Sequence, residues 1–84
     1  MTHPALQALS RGPRNVMRRL LTGASLHIQP LGYRLLGDGR PPWCVTDWCV
    51  RDLVSRGLLY TPTLRAYPTA LAKTLQKELV GGLR

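Results

Sequence analysis

Three sets of side chains in this 84-residue chain could do chemistry: four carboxylates, two cysteines with two histidines, and a large excess of arginine. The carboxylates Asp38, Asp47, Asp52 and Glu78 fall in no spacing that suggests a paired acid and base. No glycine-rich phosphate loop and no nucleophile elbow accompany them. The expectation is a protein that is not an enzyme and has no catalytic residues. Cys44 and Cys49 are separated by four residues, with His3 and His27 scattered elsewhere. A structural zinc site wants close pairs such as Cys-x2-Cys with a second pair nearby. Neither metal nor cofactor is expected, and both cysteines read as small buried hydrophobes. The start, MTHPALQALSRG, lacks the apolar run of a signal peptide, and no segment approaches a membrane span. A cytoplasmic protein with reduced thiols is the expectation.

The arginines are the set with a chemistry of its own. Twelve Lys and Arg against four acids leave a formal charge of +8. A field of that sign favours polyanions or an acidic protein face, and says nothing about fold. Arg supplies most of the excess, and its guanidinium fork matches phosphate and carboxylate. Arg11, Arg14, Arg18 and Arg19 stand within nine residues that contain no acid. Arg11, Arg14 and Arg18 can share one side of a helix, a surface suited to phosphate or an acidic partner. Arg34 and Arg40 would extend that patch. A second candidate surface comprises Arg51 and Ser55, with Arg56 behind them and Arg65 farther on. The competing reading of each set is a solvated, salt-bridged face. Asp47 before Arg51 and Asp52 before Arg56 are both acid-to-base pairs four apart.

The elements that must position these groups are short. Residues 4–9 suggest a first helix with Pro near its start and Thr2 as cap. The Gly12-Pro13 pair breaks it. A second helix then carries Val16, Met17, Leu20 and Leu21 on one stripe, with Arg14, Arg18 and Arg19 off it. Gly23 ends that helix. Residues 26–29 and 31–36 alternate as two strands around Pro30 and Gly32. GDGRPPW, residues 37–43, reads as a loop. Thr46 or Asp47 caps a helix to Arg56 with Cys49, Val50, Leu53, Val54 and Trp48 on its apolar side. Trp43, on the loop, is the tryptophan expected to be exposed. After Gly57, residues 58–61 and 64–67 form a hairpin around Pro62-Thr63. Leu71, Leu75 and Leu79 define one last amphipathic helix.

The run RDLVSRGLLYTPTLRAYPTALAKTL, residues 51–75, resembles the second half of a winged helix-turn-helix domain. Leu53, Gly57, Leu58 and Leu59 match the end of a recognition helix and its exit strand. Tyr67, Thr69 and Leu71 match the opening of the last helix. The resemblance covers residues 45–79. It departs from the family where a supporting helix should precede the recognition helix. There the chain has a strand pair and the GDGRPPW loop.

The resemblance implies one α+β winged-helix-like domain over residues 1–84, in the order helix-helix-strand-strand-helix-hairpin-helix. Residues 1–12 would be an arm or short helix, and residues 80–84 a flexible tail. The chain's compactness and unmatched charge lead to the expectation of a nucleic-acid-binding protein, a DNA-binding regulator of phage or mobile-element type acting on duplex DNA. Such a surface would use Arg51 and Ser55 for bases, with Arg65 from the wing. The alternative is a phage-encoded inhibitor of a host defence complex, anti-CRISPR-like, acting by contact with an acidic or nucleic-acid-binding protein. Because no metal or disulfide is expected, the melting temperature should be the same in buffer, in chelator and in reductant. A large drop in chelator, seen by thermal melt, would establish a metal site.

Overall fold

A computed structural model describes residues 3–30 and 32–80. The expected cap at Thr2 and the tail at residues 81–84 lie outside them. A 3-10 turn at Pro4–Leu6 is followed by α1 (Arg11–Leu21), β1 (Ser25–Gln29), β2 (Gly32–Leu36) and β3 (Trp43–Val45). Then come α2 (Asp47–Ser55), β4 (Leu59–Tyr60), β5 (Arg65–Pro68), α3 (Ala70–Thr74) and α4 (Gln76–Val80). The architecture is α+β: four α-helices among the described residues, and one five-stranded antiparallel sheet ordered β3-β2-β1-β5-β4.

The elements differ from the expected ones in several details. The first helix is only one 3-10 turn, capped by His3, whose Nδ1 accepts the Ala5 N–H at 3.0 Å. The second helix restarts at Gly12-Pro13 as expected, both residues lying in the first turn of α1, after Ser10. A proline there removes an N–H that has no intrahelical partner anyway. Residues 43–45 leave the loop to become β3, because Trp43 and Val45 alternate with Cys44 and pair with β2. That strand stands where a supporting helix would be. The last helix is interrupted at Leu75 (φ −91, ψ 14), just after Thr74, whose hydroxyl donates to the Ala70 carbonyl at 3.0 Å. Such bonds to the carbonyl four residues back bend helices. Val80, placed in the tail, closes α4 and packs on the core.

One hydrophobic cluster joins the layers. Val16, Met17 and Leu20 of α1 meet Cys49, Val50 and Leu53 of α2, Leu26, Leu35, Val45 and Ala66 of the sheet, and Ala72, Leu75 and Leu79 beyond it. The strand register explains which sheet residues point inward. Leu26 stands opposite both Leu35 and Ala66, and Leu35 opposite Trp43, so this row shares the helical side. Trp43 is therefore half-buried against the core, and Trp48, one residue off the inward stripe of α2, is 55% exposed. Expectation had these reversed. Val54 is exposed for the same phase reason. Cys49 is buried as expected, but Cys44 faces out.

The turn out of α2 follows the expected plan. Gly57 takes φ +77, a conformation that side chains with a Cβ rarely adopt. The Leu58 N–H donates to the Leu53 carbonyl at 3.0 Å, and Leu58 and Leu59 are both buried. Thr69 caps α3 by accepting the Ala72 N–H at 3.2 Å, and its hydroxyl donates to the Gly57 carbonyl. No helix among the described residues is long and apolar enough to cross a membrane.

Leu53 is fully buried where α2 meets α1 and β4. Leu53→Ala is expected to cost about 2–5 kcal/mol, as a large-to-small change leaving a cavity does. Denaturant titration of the two proteins reads that difference directly.

Candidate nucleic-acid interface

The nine arginines among the described residues divide by what holds them. Arg19, expected on the outer side of α1, is 8% exposed. Its Nε and Nη2 donate to both oxygens of Asp38 at 2.7 and 2.6 Å, and Nη2 also donates to the Pro41 carbonyl at 3.3 Å. The Asp38 side chain is 4% exposed, and it accepts the Arg40 N–H as well, at 3.3 Å. This bidentate pair ties residues 37–42 to α1. Arg19 therefore helps to build the structure, its guanidinium engaged by Asp38 and Pro41.

Arg56 is engaged within the fold in a similar way. Its Nε donates to both Asp52 oxygens at 3.0 and 3.1 Å. The rest of the guanidinium donates to the carbonyls of Ala5, Gln7 and Ala8. Ala8 has φ +56, a costly conformation for a residue with a Cβ, and these bonds offset that strain. The N-terminal arm is thus stapled to the end of α2, with Ala5 and Leu6 in the core.

Arg51 is free to solvent but not free of charge partners. Its side chain is 81% exposed and pairs with Asp47 at 2.6 Å. Asp47 in turn acts on Tyr33, whose hydroxyl is pushed up first by burial and then by that carboxylate. Ser55, the other candidate base reader, donates its hydroxyl to the Asp52 carbonyl at 2.8 Å. The outward face of α2 therefore presents Trp48, Arg51 and Ser55 beside two acids.

The remaining described arginines fall on two surfaces. On the first, Arg18 and Arg40, twenty-two positions apart, line one open groove of about 550 Å³ with Asn15, Thr22, Pro41, Trp43 and the Asp38-bound Arg19. Arg18 reaches Asn15 Oδ1 at 3.5 Å, leaving most of its fork directed elsewhere. Arg14 lies one turn earlier and donates to the Glu78 carbonyl of α4 at 3.2 Å, and Arg11 is exposed at the start of α1. Arg40 thus extends the α1 patch as expected. Arg34 does not, since it faces outward from β2 opposite His27 and Cys44. On that second surface it is joined by Arg65, which pairs with His27, donates to Ser25 Oγ at 2.8 Å and lies over the Tyr67 ring at 5.5 Å.

Asn15 and Trp43 were missed by sequence reasoning. Asn15 could have been found three residues before Arg18 on the same helical side. Trp43 could not, because its orientation depends on the β2 pairing. Among the described residues, no group of three or more His, Cys, Asp or Glu side chains is placed to hold a metal ion. Compared with family models, curated proteins and solved structures, the chain matches none.

Asp38 yields a pH signature. The hydrogen bond from Arg19 holds its carboxyl far below the usual carboxylate range, against burial, which pushes the other way. A depressed carboxylate stabilises the fold at neutral pH; that contribution starts to fade below about pH 4 and goes on falling toward the depressed value. Asp38→Asn is expected to lower the melting temperature clearly at pH 7 and to flatten its fall between about pH 4 and 2. Arg51→Gln, breaking an exposed pair, should barely move it. Thermal melts across pH check both, and equal effects would remove Asp38 from its structural role.

Proposed function

We propose that the chain is a small winged-helix-like DNA-binding protein, a regulator of phage or mobile-element type. In this reading it holds the duplex backbone in the groove between α1 and residues 37–42. One observation carries it. Three of the four acids are occupied by Arg19, Arg51 and Arg56, while Arg11, Arg14, Arg18, Arg34, Arg40 and Arg65 form no ion pair among the described residues. Of these, Arg18 and Arg40 line the groove, and Arg11 and Arg14 precede Arg18 on α1. Unpaired guanidinium groups so placed suit phosphate contacts, which position a duplex without reading it. The winged-helix reading is supported by α2, the Gly57 turn, the β4–β5 hairpin and the Thr69 cap in that order. With β3 in place of a supporting helix and two acids on α2, backbone gripping is a better fit than insertion of α2 into a groove. Binding rather than catalysis is the activity proposed.

A second reading is favoured by the outward face of α2. Trp48 is 55% exposed beside Arg51, and Trp and Arg are the side chains that most often anchor protein interfaces. That face suits an inhibitor that docks on a host complex through protein contact.

The two readings separate on a labelled duplex titrated over a range of salt. The DNA-binding reading expects micromolar or tighter affinity at about 150 mM salt. Arg18→Gln with Arg40→Gln should weaken every duplex alike and lower the slope of log affinity against log salt by about two, one per lost phosphate contact. No measurable binding at that salt would sink this reading and promote the inhibitor.

A further inference from the structure

We propose that the bare face of the sheet is a stacking surface for single-stranded nucleic acid. The proposal rests on the nucleic-acid reading above but uses none of the groove residues. Its basis is the strand register. Cys44, Arg34, His27 and Arg65 stand directly opposite one another across β3, β2, β1 and β5. Paired residues of an antiparallel sheet share a face, and this row alternates with the buried row of Leu26, Leu35 and Ala66. The helices cover the buried side. Tyr67 continues the outer face, since the Arg65 guanidinium lies over its ring at 5.5 Å, and Tyr60 pairs with Tyr67 on β4. The two rings are 5.7 Å apart and tilted by 35°, and Tyr60 is 49% exposed.

The strip therefore runs from aromatic rings at β4 to cations at β1, β2 and β5, and no carboxylate stands in it. A second copy of this chain would set Arg34 and Arg65 against their own kind. A polynucleotide strand supplies both complements, phosphates for the cations and a base for the open face of Tyr60. Duplex DNA does not, because its bases are already stacked inside. Stacking on exposed aromatic rings beside a cationic track is how single strands are held without sequence preference.

The test uses a labelled twelve-residue oligothymidylate, an abasic oligomer of equal charge and a short duplex, with binding read by fluorescence anisotropy. Tyr60→Ala should weaken oligothymidylate about fivefold or more, the loss of one stacked base, and leave the duplex unchanged. Tyr60→Phe, which keeps the ring, should bind within about twofold of wild type. The abasic oligomer should bind at least about fivefold more weakly than oligothymidylate, an arm that stands even if Tyr60→Ala fails to fold. Equal binding of the two oligomers, no oligothymidylate binding, or its full displacement by polyglutamate would overturn the proposal, the last in favour of an acidic protein partner. Duplex binding lost by Arg18→Gln with Arg40→Gln while oligothymidylate ignores Tyr60→Ala sinks this proposal alone. The reverse pattern sinks the groove reading alone.

Discussion

The buried pair of Arg19 and Asp38 is the contact on which the rest of the molecule turns. Two charges withdrawn from water are tolerated only when the geometry is close and the remaining donors are satisfied. Here both carboxylate oxygens accept from one guanidinium, which also donates to the Pro41 carbonyl, and Asp38 takes the Arg40 N–H. Removing either partner strands the other in an apolar setting. The pair closes a loop of two glycines and two prolines onto α1, and that closure delivers Trp43 to the edge of β2. Arg19 also lines the groove with Arg18 and Arg40, so this structural contact helps to shape it.

The same logic governs the acids as a set. A chain with so few carboxylates places three of them on arginines: one buried within the fold, one at the end of α2 holding the arm, and one on the exposed turn of α2. Guanidinium groups without such partners remain on the α1 groove and on the outer sheet face. These two surfaces lie on different sides of the sheet, because its alternation sends one row to the helices and the next to solvent. The unpaired arginines among the described residues thus divide between two surfaces of different character. One is a groove with an indole at its edge. The other is a flat strip ending in two tyrosines.

The outward face of α2 differs from both. Its arginine is engaged by Asp47, its serine by its own backbone, and its indole by nothing in the core. A face of that composition offers apolar and aromatic area before it offers charge, which is why protein contact is the reading it favours.

Much of the local structure was legible in the residues. The stripe of Val16, Met17 and Leu20, the two i,i+4 pairs on α2, the stop at Gly57 and the cap at Thr69 all depend on neighbours within one turn of chain, where spacing alone decides. The hidden part was whatever depends on a partner remote in sequence. Arg19 and Arg56 look like Arg18 and Arg51 on any local criterion, and only Asp38 and the carbonyls of the arm, brought in from 19 and about 50 residues away, remove them from the surface. Trp43 and Trp48 exchanged their expected exposure because β3 exists only when β2 is beside it to pair. Sequence by itself determined the charge, the class of chemistry that charge can do and the turns of helix that carry it. Tertiary structure alone decided which arginines are held by remote partners, since Asp38 reaches Arg19, and the arm carbonyls reach Arg56, only once folding has set those distances.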